Sequence, residues 1–243
     1  MKNKSWGQPF KWVFLLLILG FVSGCVNIPV PKPDLTNPIR TVAILPFANE
    51  SNNIDAPKQI RDLLRKKLQA KFYKVLPLED VDQVLLDELG ITLGEQLSEV
   101  ELADLKAKVT ADAFIYGNIT HYDQTMAGVI NTNRVRAEMN MLQISNDMDF
   151  WKSGIGIKSE SRSGGVFGSL ASLASAVSDN SGDDPIQWIT IESKKGGDGS
   201  IMGNLLSGLV DKAVSGAMGV TLTEESLALI NRSTSTLRNG PGF

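Results

Sequence analysis

Apolar positions follow three spacings along this chain, and each spacing predicts a different element. Trp12 to Val22 is an unbroken apolar run of eleven residues. Thr41-Val42-Ala43-Ile44-Leu45-Pro46-Phe47 is a short, β-rich apolar run closed by Pro46, the pattern of a buried strand. After the polar loop Asn49–Asn53, with Asp55 as a candidate N-cap and Pro57 as an early helix residue, Ile60, Leu63, Leu64 and Leu68 fall on one helical stripe. Phe72–Leu76 reads as a second strand ended by Pro77. Strand, helix, strand in that order implies a parallel pair joined by a right-handed crossover.

A second helix carries Val81, Val84, Leu85 and Leu89 on one face, and Gly90 and Gly94 punctuate the loop after it. Ser98 and Glu101 stand in capping-box spacing, with Leu97 and Leu102 as the matching staple, so a third helix is expected from about Glu99. Ala113–Tyr122 reads as a strand with Phe114, Tyr116 and Tyr122 on one side and Ile115 and Ile119 on the other. Residues 126–130 are expected to pair with 135–144 through a turn at Asn131-Thr132-Asn133. Val135, Ala137, Met139 and Met141 alternate with Arg136, Glu138 and Asn140, then the pattern slips to Leu142 and Ile144, which predicts a bulge. Trp151, Ser153, Ile155 and Ile157 continue as a further strand. The expected class is α/β (α+β): a βαβ unit plus an antiparallel meander in one mixed sheet, with additional C-terminal helices.

The N-terminal run changes the picture of where the chain resides. Lys2, Lys4 and Lys11 precede it, and eleven apolar residues are too few for a comfortable permanent span. Val22-Ser23-Gly24-Cys25 follows directly and resembles a lipobox, with small residues for a narrow protease groove and a thiol to accept a diacylglyceryl group. The alternative is an ordinary signal peptide followed by an accidental cysteine. Cys25 is the only cysteine, so no internal disulfide is possible. Thioether-linked diacylglycerol plus an N-acyl chain would give lasting attachment, since each buried methylene contributes about 0.8 kcal/mol. Val26 in place of Asp favours the outer membrane, and the periplasmic face is expected rather than the surface. Pro29, Pro31, Pro33 and Pro38 make 25–39 an extended tether. The chain of 243 residues then divides into a signal peptide (1–24), the lipidated cysteine and tether (25–39), the α/β domain (40–162) and a Gly/Ala/Ser-rich helical region (163–243) with a strand or loop insert near 180–199.

Composition is ordinary for a globular protein, 42% hydrophobic and 21% charged. Loss of the three leader lysines takes the net charge from −3 to −6, which argues against nucleic acid as a partner. One histidine and one cysteine leave no metal-ligand spacing. A hydrolase triad on His121 is outweighed by a surface histidine, and Glu79, Asp80, Asp82, Asp87 and Glu88 read as a solvated helix face. Gly154-x-Gly156 lies within a strand pattern, which fails the context of a phosphate loop, and the Gly196–Gly199 stretch has too few acids for calcium. No catalytic residue, cofactor, metal or small-molecule substrate is identified.

Gly164, Gly168, Ser172 and Ala176 recur every four residues, and Gly208 and Gly216 lie in a second smooth segment. Such stripes let backbones approach closely. Packing on the protein's own sheet, a subunit interface and a membrane-surface contact all remain open. A last helix is expected from Thr221, with Glu224 in capping-box spacing, to about Leu237, before a non-helical Asn239–Gly242 tail.

Three stretches carry a family resemblance: "TVAILPFANE" at Thr41–Glu50, "VLPLEDVDQVL" at Val75–Leu85, and the Trp151 strand with the Gly-rich segment from Gly164. The first of them resembles the first strand and loop of the curli-secretion lipoprotein superfamily, whose fold is like the N-terminal domain of the TolB translocation protein. A closer resemblance is to a lipoprotein family that includes a meningococcal vaccine-candidate antigen, with the Pel exopolysaccharide lipoprotein as a relative. The family pattern is more continuously helical where Ile186–Ile191 reads as a strand or loop here. The resemblance implies a non-enzymatic, membrane-anchored module of envelope assembly or export that self-associates or binds other envelope proteins. A secretion-channel subunit in the outer membrane is the alternative, although Arg134, Arg136, Glu138, Lys152 and Lys158 suit lipid contact poorly.

Overall fold

The computed structural model describes residues 30–127, 130–162, 187–192 and 222–242. In chain order these form β1 (Thr41–Ile44), β2 (Ala48–Asn49), α1 (Ala56–Ala70), β3 (Lys74–Val75), α2 (Leu78–Leu89), a 3-10 helix (Gly94–Glu99), α3 (Leu102–Lys108), β4 (Ala113–Ala127), β5 (Ile130–Gln143), β6 (Met148–Arg162), β7 (Gln187–Glu192) and α4 (Thr223–Ser233). The expected mixed α/β class is observed. Seven described strands share one sheet in the order β3-β1-β4-β5-β6-β7, with β2 beside β4. β1 runs parallel to β3 and β4, the long β4-β5-β6 meander is antiparallel, and β7 returns parallel to β6.

Two apolar clusters flank the sheet. Ile60, Leu64 and Leu68 of α1 and Leu229 and Ile230 of α4 close over Val42, Ile44, Ile115, Val135, Ala137, Met139 and Ile157. Val81 and Leu85 of α2 and Leu105 of α3 cover Ala43, Leu45 and Phe114 on the opposite face. An ion pair between a buried arginine and a half-exposed aspartate ties the two layers. Arg61, 7% exposed, bridges Asp82 on α2 with two nitrogens at 2.7 and 3.0 Å and donates to the Ile44 carbonyl at 2.9 Å. Asp82 is therefore more than a solvated acid of α2. Glu88 of the same group pairs with Lys108 at 2.6 Å.

Several local expectations are corrected. Ser98 lies within the 3-10 helix, where its hydroxyl donates to the Glu95 carbonyl. Val100 is extended, and α3 starts only at Leu102, without a side-chain cap. The β4–β5 turn is not at Asn131–Asn133. Ala127 pairs with Ile130, and those three residues pair with Met126, Thr125 and Gln124. A register shift between Ile119 and His121 moves Tyr122 to the side of Ile115 and Ile119. The predicted slip after Met141 is present as a β5–β6 irregularity. Phe72 is not in a strand. It takes a positive φ of 68° after α1, and Tyr73 N–H closes the helix end on the Leu68 carbonyl at 3.1 Å. α4 stops at Ser233 and lacks a side-chain cap at its start, and Thr221 lies outside the described residues.

The predicted tether enters the folded body before it ends. Asn37 and Ile39 are buried. Asn37 donates to the Tyr73 hydroxyl and to the Asn239 carbonyl, each at 2.9 Å, and Tyr73 donates to the Arg238 carbonyl at 2.8 Å. Arg238 grips Asp34 at 2.7 Å. The non-helical tail thus latches the entry segment before β1. Burial pushes the Tyr73 hydroxyl up to about 12.

Candidate functional site

The lipobox residues Val22, Ser23, Gly24 and Cys25 lie outside the described residues, as do Gly164, Gly168, Ser172, Ala176, Gly208 and Gly216. What the described residues offer is the sheet face opposite α4. Strand register sets its side chains in rows. His121, Arg136, Gly156 and Trp188 stand opposite one another on β4, β5, β6 and β7. Asp123, Arg134, Lys158 and Thr190 form the next row, and Thr125, Thr132 and Glu160 the one beyond.

The first row is built around Trp188. A Cβ at Gly156 would lie 2.5 Å from the indole, so only glycine lets the ring rest on the strand. The Arg136 guanidinium is 5.5 Å from the Trp188 ring centre, and His121 meets that ring edge-on at 5.5 Å. His121 is half-buried, with Nδ1 3.2 Å from the Thr120 hydroxyl, so it is not the simple surface histidine expected. In the second row Asp123 accepts from Arg134 at 2.9 Å, and Lys158 reaches Glu160 at 3.1 Å. His121, Arg134, Arg136, Lys158 and Trp188, with Thr125 and Thr132, line a cavity of about 460 Å³.

Two more concavities lie nearby. Glu138, Asn140 and Lys152 line one of about 530 Å³ farther along β5 and β6. Another, of about 770 Å³, lies between the N-termini of α1 and α2, with Ile54 and Leu93 exposed on its rim. Among the described residues no His, Cys, Asp or Glu group is placed to hold a metal ion. None of the described helices is long and apolar enough to cross a membrane.

Comparison with known proteins places this geometry in a family. Residues 36–195 match the model of the family described as "Putative lipoprotein GNA1162-like". The chain belongs to the GNA1162-like lipoprotein family. The match spans β1 to β7 and stops short of α4. Among solved structures, lipoprotein GNA1162 from Neisseria meningitidis is 21% identical, with 57% of this chain and 94% of that one covered at a TM-score of 0.45. The PelC dodecamer from Paraburkholderia phytofirmans is 14% identical over 60% of this chain and 86% of that one, at a TM-score of 0.32. The C-terminal domain of LpoB from Salmonella enterica is 12% identical over 54% and 88%, at 0.31. No curated protein matches the sequence. Membership of a lipoprotein family associates the chain with the cell envelope.

Trp188 and its partner Gly156 were not legible as a site. Both sit in strand patterns, and only the parallel register between β6 and β7 brings them together.

Proposed function

We propose that this chain is a Cys25-lipidated, periplasm-facing module of the outer membrane. It is non-enzymatic, and it serves envelope assembly or export by self-association or by binding other envelope proteins. One observation carries the reading: the only cysteine stands directly after Val22-Ser23-Gly24 and an eleven-residue apolar run. Family membership supports it independently, through residues 36–195 that exclude the leader. The contact surfaces it has to offer are the open rows of β4–β7 and the small-residue stripes at Gly164–Ala176 and around Gly208 and Gly216.

Among the described residues the channel reading lacks a suitable strand face. β4, β5 and β6 have 15, 14 and 15 residues, enough to span. Their apolar side is closed by α1 and α4, and the other side carries Arg134, Arg136 and Glu138.

Fractionation of cells carrying wild type or Cys25→Ser tests the anchor, and in-cell cross-linking tests the assembly. The wild type should sediment with the outer membrane, and Cys25→Ser should remain in the uncleaved precursor form. Equal processing of both proteins, or a wild type that washes off with salt and forms no cross-link, would overturn the proposal.

A further inference from the structure

The cavity of about 530 Å³ on the open face begins where the cover of α2 and α3 ends. Tyr116 packs against that apolar cluster and also lines the cavity. It stands opposite Asn140, and Asn118 stands opposite Glu138, so the four side chains form one block on a single face of β4 and β5. The block is rich in acceptors. Asn118 Nδ2 donates to Glu50 at 2.7 Å, and Asn140 Nδ2 donates to Asp149 at 2.7 Å. A carboxylate accepts only from the nitrogen of an amide, so both amides are fixed in orientation. Each Oδ1 is left buried without a hydrogen bond, which costs the full desolvation of the carbonyl unless a ligand brings a donor. Glu138, across from one amide and two residues before the other, is exposed and takes no hydrogen bond or ion pair. The neighbouring cations are engaged: Lys152 pairs with Asp149 at 2.6 Å, and Arg136 lies 5.5 Å from the Trp188 ring centre.

We propose that this block binds a primary ammonium group, with its three N–H donors shared among Asn118 Oδ1, the Glu138 carboxylate and Asn140 Oδ1. The charge-assisted bond to Glu138 holds the cation. The two amide oxygens select N–H donors over bare positive charge, because only a donor satisfies them. The rest of the cavity takes the body that carries the amine, beside Tyr116. The site is built from side chains of β4 and β5 and not from the lipid anchor, so it stands apart from the functional reading above.

The test is calorimetric titration of the full mature chain in neutral detergent micelles. Each amine is paired with a control that lacks its N–H donors or its charge. The pairs are Nα-acetyl-lysinamide with its Nζ-trimethyl form, and glucosamine with N-acetylglucosamine. In a separate arm the micelles carry phosphatidylethanolamine or phosphatidylcholine. At least one amine should bind and its control should not, with affinity about tenfold weaker or worse in Glu138→Gln, the loss of one charge-assisted bond. Asn140→Ala should weaken binding as well. The arm that responds names the source: an amino-acid side chain, an amino sugar, or a lipid headgroup if only phosphatidylethanolamine acts. Glu138 is exposed, so its variant serves if Asn140→Ala fails to fold. A trimethylated form that binds as well as its parent would overturn the assignment. So would affinity unchanged in Glu138→Gln, or binding of calcium with no response to any amine at about 10 mM.

Discussion

The two faces of the β4–β6 meander use one alternating pattern for opposite ends. On one face Val135, Ala137, Met139 and Ile157 are buried under α1 and α4. On the other, one residue along, Arg134, Arg136, Glu138 and Lys158 set polar groups over the same strands. The strand period fixes which residues share a face, and the helices returning from elsewhere in the chain decide which face becomes core. α4, about sixty residues after the hairpin it covers, makes that choice for β5 and β6.

The sharpest break of this comparison is Leu229→Ala. Leu229 is fully buried, so its truncation should cost about 2–5 kcal/mol in urea unfolding. Next comes Glu225, 3% exposed on α4, which accepts from Asn133 at 2.9 Å and from the Ser159 hydroxyl. Glu225→Ala takes this acceptor from the buried Ser159 hydroxyl and the half-buried Asn133 amide and should lose about 2–4 kcal/mol, while Glu225→Gln keeps an oxygen there and should lose less. The latch at Tyr73 gives an alkaline signature. Its folded hydroxyl ionises at about 12 rather than 10.0, so the folded state holds that proton longer than the unfolded chain. Stability should be full below pH 10 and fall as pH rises from 10 toward 12, and Tyr73→Phe should remove that part of the slope in thermal melts. Smallest of all, Glu138→Ala on the open face should stay within about 0.5 kcal/mol of wild type.

Much of this contrast is readable from sequence. Alternation alone separates Val135, Ala137 and Met139 from Arg136 and Glu138, and the stripe Ile60, Leu64, Leu68 marks the buried side of α1. Local signals failed where tertiary contacts overrule them. The Ser98–Glu101 pair has capping-box spacing, yet Ser98 is taken up in the 3-10 helix, the chain extends at Val100 and α3 starts only at Leu102. Asn131-Thr132-Asn133 has turn composition, yet it lies in the ladder because β4 and β5 are long enough to carry pairing past it. The small-residue stripes at Gly164–Ala176 and around Gly208 and Gly216 remain proposals as interfaces, outside the described residues. The cavity on the open face depends on β7 docking parallel to β6, a long-range register that no short window encodes.

The proposed membrane anchorage rests on Cys25. Intact mass spectrometry of the mature protein from its own envelope tests it most directly. The account predicts a chain beginning at Cys25, heavier than residues 25–243 by a diacylglyceryl group and one acyl chain. A free Cys25 thiol at the mature N-terminus, or an unmodified chain that still begins at Met1, would contradict it.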